Sequence, residues 1–244
     1  MSCCIYSEFN KNKNSLEEIS DYLNLQIVNK IPVSGSFLEI KEEGLCFTND
    51  ATNRLKYLHI DFLSGSMGWR LKRSDHEKLL KKTLGKNKDK LIIFDATAGF
   101  LSDAMIFLAQ GHKVIACEQS KIVYLLVKDA IERAAAELPY LANLEFINGD
   151  SIEIYNKVDN VDLIYLDPMY PEPKKNLLRS GSIDSIKDIL QIENIENKGD
   201  LLFHDFKKLK YKKIVLKRPI KADEIDSNVN YQIKGKSTRY DIYI

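Results

Sequence analysis

An acid, a proline and an aromatic residue follow an apolar segment of this chain, in the order Asp167-Pro168-Met169-Tyr170. The preceding residues, Leu163-Ile164-Tyr165-Leu166, are typical of a fully buried parallel strand. Pro168 ends this strand because proline cannot donate a hydrogen bond to a neighbouring strand. The carboxylate of Asp167 and the ring of Tyr170 are therefore expected at the carboxyl edge of a sheet, where open α/β sheets bind ligands. Together they suit a flat base with an amino group; the alternative is a strand that simply ends in a proline turn.

Three earlier predicted strands also end in polar residues. The first, residues 91–94, leads into Asp95-Ala96-Thr97-Ala98-Gly99, whose small side chains let a ligand approach the backbone. Glu118 follows the second strand, about 20 residues further on, where an acid can accept hydrogen bonds from both hydroxyls of a ribose. Asp150 and Ser151 follow the third strand, where a side chain can reach the amine of an adenine. Because the carboxyl ends of parallel strands share one edge, these groups are expected to face one crevice.

The spacing of these four strand ends is that of a class I S-adenosylmethionine-dependent methyltransferase. Gly99 lacks the partner glycines of a dinucleotide fingerprint, which argues against a nicotinamide dehydrogenase. The sequence shows no metal-ligand cluster, Ser/His/Asp set or nucleophilic cysteine, and methyl transfer needs chiefly alignment and desolvation of donor and acceptor. Asp103, just inside the next helix, is either a helix cap or a donor contact. Asp167 to Tyr170 differ by one residue from the Asp/Asn-Pro-Pro-aromatic motif with which amino-methyltransferases hold an exocyclic amine.

The elements that must position these residues fall into three parts. Residues 1–75 predict a small, β-rich N-terminal lobe with a short helix, a hairpin and a loop at 64–68. Residues 76–90 form a helix and a linker. Residues 91–244 alternate strands with helices, which predicts a doubly wound, mostly parallel sheet, and they end in an antiparallel hairpin. The fold class is thus α/β, the Rossmann-like class I methyltransferase fold with an additional N-terminal lobe.

Composition restricts the function classes further. The chain has 244 residues, a net charge of +1, 44% hydrophobic and 29% charged residues, as ordinary soluble globular proteins do. It has no apolar stretch of about 20 residues that could span a bilayer, and its first residues lack the pattern of a secretory signal. We therefore expect a cytoplasmic protein without membrane or metal partners. Residues 172–221 hold thirteen Lys/Arg against seven Asp/Glu, an excess that favours nucleic-acid binding beside the predicted base pocket.

Four segments together resemble one known family. They are Asp95-Ala96-Thr97-Ala98-Gly99, Tyr165-Leu166-Asp167-Pro168-Met169-Tyr170-Pro171, Val215-Leu216-Lys217-Arg218-Pro219 and Lys234-Gly235-Lys236-Ser237-Thr238-Arg239-Tyr240-Asp241-Ile242-Tyr243. The chain is similar, from about Ile60 to its C-terminus, to the RsmJ family of bacterial small-subunit (16S) ribosomal RNA guanine-N2 methyltransferases. This resemblance implies S-adenosylmethionine as methyl donor, the exocyclic amine of a guanine as acceptor, and 16S ribosomal RNA or the small ribosomal subunit as partner.

The resemblance also implies roles for individual residues. With the strand-end analysis it gives the cofactor-binding set Asp95, Gly99, Ser102, Asp103, Glu118, Gln119, Asp150, Ser151 and Asp167. The catalytic set is Asp167, Pro168 and Tyr170: the acid accepts from the guanine amine, and the ring stacks on the base. Lys174, Lys175, Arg179, Lys217 and Arg218 are predicted to lie over the pocket mouth and bind RNA. Leu101 and Ser102 stand where the family has a glycine and an arginine, and a turn that requires positive φ is not expected to tolerate Leu101.

Two other functions remain open from the sequence. The motif at Asp167 alone is compatible with an amino-methyltransferase that acts on another RNA or DNA base, although the Lys217-Arg218-Pro219 and C-terminal matches argue against it. The altered loop from Gly99 to Ser102 is compatible with a non-catalytic ribosome-assembly protein of the same fold. Calorimetry with S-adenosylmethionine separates these classes, because a non-catalytic protein need not bind the donor.

Overall fold

A computed structural model gives the conformation of most of the chain. The residues that it describes are 3–7, 13–85, 89–168, 181–196 and 198–244, without the side chains of 13–15 and 181–183. The strands are β1 Cys3–Tyr6, β2 Ile27–Val28, β3 Ser36–Lys41, β4 Gly44–Thr48, β5 Leu58–His59, β6 Ile92–Asp95, β7 Lys113–Glu118, β8 Leu144–Asn148, β9 Leu163–Leu166, β10 Ile214–Pro219, β11 Tyr231–Lys234 and β12 Thr238–Tyr243. The α-helices are α1 Lys13–Leu23, α2 Gly65–Lys72, α3 Lys78–Leu84, α4 Ala104–Ala109, α5 Lys121–Ala134, α6 Ser151–Tyr155, α7 Gly181–Ile192 and α8 Asp200–Lys207.

The chain divides into two compact units. The first contains the described residues of Met1–Phe62, Ser120–Ala136 and Lys174–Glu196, and the second contains the others. Within the first unit α5 packs on β4, although the sequence analysis places this helix among the elements after residue 75. Gly44 shows how close that packing is. Its φ is +129°, and an added Cβ would lie 2.5 Å from Arg133 Nε on α5, so a side chain there would clash.

The first unit is built on a five-stranded sheet with the order β2-β1-β3-β4-β5. The hairpin of β3 and β4 matches the predicted one, whereas β1, which pairs in parallel with both of its neighbours, was not predicted. The N-terminus of α5 is capped twice within this unit. Ser120 Oγ accepts from the Val123 N–H at 3.0 Å, and Glu193 Oε1 accepts from the Lys121 N–H at 2.9 Å.

The second unit is built on a seven-stranded sheet with the order β11-β12-β10-β9-β6-β7-β8. Strands β6 to β10 are parallel, and β12 runs antiparallel between β10 and β11. The predicted α/β class, its parallel sheet and its antiparallel C-terminal hairpin are thus confirmed. After β8 the chain returns to the other side of β6 and adds β9 there. The carboxyl ends of β6 and β9 are therefore the switch point of the sheet, where ligands bind in such folds.

The core of the second unit explains why its strands could be recognised in the sequence. Parallel strands covered on both faces are apolar throughout, and Phe94, Ile164 and Leu216 are all fully buried. Phe203 and Phe206 of α8 pack into the same cluster. Burial of each such side chain stabilises the fold by about 1.5–3 kcal/mol. In the described part of the chain, no helix combines the length and the apolar character that crossing a bilayer would require.

One helix was not predicted. The segment around Gly65 and Gly68 was interpreted as a loop because two glycines lower helix propensity by about 1 kcal/mol each. In the structure it forms α2, which begins after Ser64 and packs against α4. Gly68 is buried within this helix rather than placed in a turn. This helix supplies Arg70 to the site described next.

Candidate active site

Hydrogen bonds join the loops at the carboxyl ends of β6, β7 and β9. The Gly99 N–H, after β6, donates to Glu118 Oε2 at the end of β7 across 2.9 Å. The Asp167 N–H, after β9, donates to Thr97 Oγ1 across 2.7 Å. At the end of β8, Asn148 Nδ2 donates to the Glu118 carbonyl across 2.7 Å. The second unit thus brings the predicted strand-end residues together at one edge of its sheet.

Asp167 is held by a lysine from the neighbouring strand. Lys217 Nζ on β10 lies 2.7 Å from Asp167 Oδ2 and 2.8 Å from Asp103 Oδ2. Burial raises the pKa of Asp167 above its usual value, although Lys217 opposes the shift. Burial would lower the pKa of Lys217, but the two carboxylates raise it, so the ammonium stays charged. Among the residues that the structure describes, the other oxygen of Asp167, Oδ1, has no hydrogen-bond partner.

Asp103 is the centre of this polar network. It is only 7% exposed, and both of its oxygens are engaged. Oδ1 accepts from Arg70 Nη2 at 2.7 Å, and Oδ2 accepts from the Tyr165 hydroxyl at 2.5 Å as well as from Lys217. Burial by itself would raise the pKa of Asp103, but Lys217 and Arg70 lower it to about 2. The Asp103 carboxylate is therefore ionised. In this structure its oxygens hold Lys217, Arg70 and Tyr165, which makes it a support for Lys217.

Arg70 is a site residue that the sequence did not reveal. Besides Asp103, its guanidinium donates to the Ser102 carbonyl at 2.8 Å and to Glu77 Oε1 at 2.6 Å. It thereby ties α2 to the loop before α4. The sequence signal is weak, because a basic residue in the last turn of a helix is common. Its 33-residue separation from Asp103 also hides the pairing from any local pattern.

Asp95 lies at the end of β6 and is only 3% exposed. Its Oδ1 accepts from the Thr97 N–H at 3.1 Å, which shapes the start of the loop. Burial raises the pKa of this carboxyl to about 8, and the neighbouring carboxylates of Asp103 and Asp167 raise it as well. The acid is therefore largely neutral near pH 7, and its observed contact is to the loop backbone.

Asp150 is engaged as a helix cap. Its Oδ1 accepts from the Ile152 N–H at 2.9 Å, and its Oδ2 lies 2.7 Å from Lys198 Nζ. Burial would raise the pKa of Asp150, but Lys198 and the amides of α6 lower it. The adjacent Ser151 is buried and Gln119 is exposed. Asp150 is thus an ionised group at the same edge of the sheet as Glu118.

The loop between β6 and α4 has two residues in the left-handed region. The φ of Gly99 is +48°, and among the described residues an added Cβ there would meet nothing nearer than the Thr97 carbonyl at 4.0 Å, so these residues leave space beside the backbone. The φ of Leu101 is +58°, and its side chain is fully buried. The expectation that a turn with positive φ would not tolerate Leu101 is wrong. Burial of the side chain compensates for a strain of about 1–2 kcal/mol.

Two of the predicted RNA-binding residues, Lys217 and Arg218, lie in the described part of the chain. Lys217 bridges two carboxylates, as described above. Arg218 is 6% exposed, and it donates to Asp200 Oδ1 at 2.6 Å and to the Asp223 carbonyl at 3.0 Å. These contacts engage both side chains within the fold, and their role in binding RNA stays a prediction. The other predicted contacts lie outside the described residues: Tyr170, Lys174, Lys175 and Arg179.

The chain is similar to known methyltransferases over most of its length. A family model described as "Putative SAM-dependent methyltransferase" matches residues 19–244. Ribosomal RNA small subunit methyltransferase J from Desulfotalea psychrophila is 29% identical over 93% of this chain and 90% of that protein. The protein of the same name from Francisella philomiragia is 33% identical over 77% of this chain and 80% of its own length. A crystal structure of a SAM-dependent methyltransferase from Neisseria gonorrhoeae covers 100% of this chain and 96% of its own, with a TM-score of 0.71 and 23% identity, which supports the same fold.

Proposed function

Because this chain belongs to the ribosomal RNA small subunit methyltransferase J family of SAM-dependent methyltransferases, we propose that it methylates the exocyclic N2 amine of a guanine in 16S ribosomal RNA, with S-adenosylmethionine as donor. One observation carries the proposal beyond family membership. Asp167, at the carboxyl end of β9, has one oxygen fixed by Lys217, and its backbone is fixed by Thr97. A carboxylate fixed in this way can orient an amine that donates to it.

The residues at the sheet edge fit the methyl donor. Glu118 ends β7 with a carboxylate that can accept from ribose hydroxyls, and its bond to the Gly99 amide holds it beside the open space at that glycine. Asp150 is an ionised acceptor at the end of the next strand, within the same edge. When bound, S-adenosylmethionine supplies a methyl group that its sulfonium makes electrophilic. The neutral Asp95 supports the loop between these groups without adding another negative charge.

Asp167 would act on the acceptor amine. Its Oδ1 would accept a hydrogen bond from the guanine N2–H, while Lys217 keeps the carboxylate from rotating. The amine lone pair is thereby aimed toward the methyl group, and such alignment can supply a large share of the rate enhancement. The amine becomes cationic on transfer and therefore strongly acidic, so Asp167 Oδ1 need only receive a proton that leaves readily. Pro168, which is buried, would fix the chain direction directly after this acid.

The remaining assignments extend the proposal to the RNA. Tyr170 would stack on the target guanine, and Lys174, Lys175 and Arg179 would neutralise phosphates near it. The partner would be 16S ribosomal RNA, either free or in the small ribosomal subunit, and the protein would act in the cytoplasm. These roles rest on the sequence motif and on the excess of basic residues after it.

The experiment that tests the proposal compares Asp167→Ala and Asp167→Asn with the unmodified protein. Methyl transfer to 16S ribosomal RNA is expected to fall by about 100-fold or more, because loss of a positioned proton acceptor typically costs a factor of 10²–10⁴. Calorimetry then measures how much S-adenosylmethionine affinity each variant loses, since Asp167 is also predicted to contact the cofactor, and we expect that loss to be smaller than the loss of transfer. Asp205→Ala is the matched control, since Asp205 is a partly exposed acid on α8 that pairs only with Lys208 among the described residues.

Three results would contradict the proposal in different ways. Full activity of Asp167→Ala would refute the role of this acid. Transfer to adenine in DNA, without transfer to ribosomal RNA, would identify a different amino-methyltransferase. Failure of the unmodified protein to bind S-adenosylmethionine would favour a non-catalytic ribosome-assembly protein.

A further inference from the structure

Trp69 is a large aromatic side chain that α2 leaves in solvent. It is 61% exposed, and it is the only tryptophan of the chain. A single exposed apolar residue is ordinary on a protein surface. Among the described aromatic rings that have a cation against them, Trp69 is the most exposed: Arg73 Cζ is 4.7 Å from its ring centroid. An indole and a guanidinium in this arrangement form a flat, charged surface.

The surroundings of this pair are strongly basic. Between Arg70 and Lys82 the chain has six Lys/Arg and two Asp/Glu, and α2 itself contains no acid. Lys72 and Arg73 are exposed. One of the six cations, Arg70, pairs with Glu77 at 2.6 Å and with Asp103 at 2.7 Å, so the excess of exposed charge comes from Lys72, Arg73 and three exposed lysines of α3. The local field therefore attracts a polyanion, and phosphate contacts dominate the affinity of proteins for nucleic acids.

The pair is also coupled to the candidate active site within the same unit. Arg70, the next residue after Trp69, donates to Asp103, which shares Lys217 with Asp167. Helix α2 thus carries Trp69 directly before a residue of the ion-pair network that holds the acid proposed to orient the target amine. The opposite end of the sheet, where β7 begins at Lys113, has no such connection to Asp167 among the described contacts.

We propose that Trp69, Arg73 and Lys72 form an RNA-docking platform, which rests on the proposed function and gives its site a second substrate contact. Trp69 stacks on an unpaired base near the target guanine, and Arg73 and Lys72 contact the flanking phosphates. Unpaired bases that stack on aromatic rings are the usual mode of recognition for single-stranded RNA. A ring that a guanidinium covers on one face can still stack a base on the other, and Arg73 keeps the plane of the ring fixed for it.

Intrinsic fluorescence tests the stacking directly, because Trp69 is the only tryptophan. Titration of the full chain with 16S ribosomal RNA transcribed in vitro, and separately with purified small ribosomal subunits, is followed both by tryptophan emission and by filter binding. Stacking predicts that emission is quenched over the same concentration range in which RNA is retained on the filter. RNA retention without any change in emission would overturn the proposal and leave the proposed function intact.

Variants then test the energetic contribution. Trp69→Ala is expected to weaken RNA binding by about 5- to 150-fold, the range for loss of one base–aromatic stack, whereas Trp69→Phe keeps most of the affinity. The KM for RNA is expected to rise while kcat at saturating RNA and the affinity for S-adenosylmethionine stay unchanged. Arg73→Gln is expected to reduce the slope of log K against log salt by about 1.

Matched controls separate this platform from surface effects in general. Leu201→Ala removes a comparably exposed apolar side chain, 67% exposed on α8, and Lys113→Ala removes an exposed cation at the opposite end of the sheet. Both are expected to bind RNA as the unmodified protein does. Equal RNA affinity of Trp69→Ala and Leu201→Ala would overturn the proposal. Weaker binding of Trp69→Ala to subunits but not to free RNA would also overturn it, in favour of a ribosomal protein as the partner of this surface.

Discussion

Lys217 is placed between two carboxylates whose pKa values shift in opposite directions. At Asp103 the charges of Lys217 and Arg70 outweigh burial, whereas at Asp167 burial and the charge of Asp103 outweigh the same two cations. Asp103 is in direct contact with both cations, whereas Asp167 is in contact with Lys217. From the sequence, Lys217 is predicted to lie over the pocket mouth and contact RNA. Only the fold reveals that two acids from different loops face it.

We expect replacement of Lys217 by methionine to change the pH dependence of methyl transfer. Without the ammonium, burial and the charge of Asp103 raise the pKa of Asp167 further. Because the ionised carboxylate is the form that accepts from the amine, activity rises with pH through the pKa of Asp167. The acid limb of a plot of kcat/KM against pH is therefore expected to move to higher pH in Lys217→Met.

Two variants keep this prediction testable even if Lys217→Met is unstable. Lys217→Arg retains the charge, so its acid limb is expected to stay near that of the unmodified protein. Lys212→Met removes an exposed lysine that pairs with Asp162, and it is expected to leave the profile unchanged. An acid limb that does not move in Lys217→Met would rule out Asp167 as the ionising group that Lys217 controls.

At the scale of elements, the loop between β6 and α4 combines a strained backbone with a well-buried side chain. The Leu101 N–H donates to the Ala98 carbonyl at 2.7 Å, and its carbonyl accepts from the Met105 N–H at 2.9 Å, so both peptide groups fix the turn. Left-handed φ costs a leucine about 1–2 kcal/mol. Loss of a buried leucine side chain costs about 2–5 kcal/mol. The free energy gained by burying the side chain therefore exceeds the cost of the strained backbone. This explains why the position can hold a leucine although a glycine would be free of strain.

Substitutions at Leu101 test this balance. Leu101→Gly is expected to lower the free energy of unfolding by about 1–3 kcal/mol, since the lost burial exceeds the strain that is relieved. Leu101→Ala loses nearly the same burial but keeps the strain, so it is expected to be less stable than Leu101→Gly. This order is the reverse of that in an ordinary helix. Urea denaturation of the three proteins measures these free energies of unfolding. An alanine variant more stable than the glycine variant would contradict the claim that the backbone at Leu101 is strained.

The elements that the sequence predicted well are those whose burial leaves a local pattern. The apolar runs of β6, β7 and β9 end in small or acidic residues, and this revealed both the strands and the edge where the site lies. The local pattern gave a wrong prediction at α2, because Gly65 and Gly68 are typical of a turn and the segment is a helix. It also failed at β1, whose short parallel pairing with β2 and β3 depends on residues distant in sequence.

At the scale of the whole molecule, the division into two units depends on contacts that no local pattern shows. Helix α5 follows β7 in the chain but belongs to the first unit, where it packs on a hairpin about 90 residues earlier in the sequence. The described site residues, including the unexpected Arg70, all belong to the second unit. Their order along the sheet edge was predictable from strand order, whereas the ion-pair network that supports Asp167 was not.

The most direct test of the central claim is mass-spectrometric mapping of N2-methylguanine in 16S ribosomal RNA from three strains. One strain lacks the gene for this protein, and the other two carry it back as the unmodified form or as Asp167→Ala. We expect a single guanine to lose its N2-methyl group in the deletion strain, to regain it with the unmodified gene, and to remain unmethylated with Asp167→Ala. The same methylation pattern in all three strains would contradict the claim that Asp167 directs methyl transfer to ribosomal RNA.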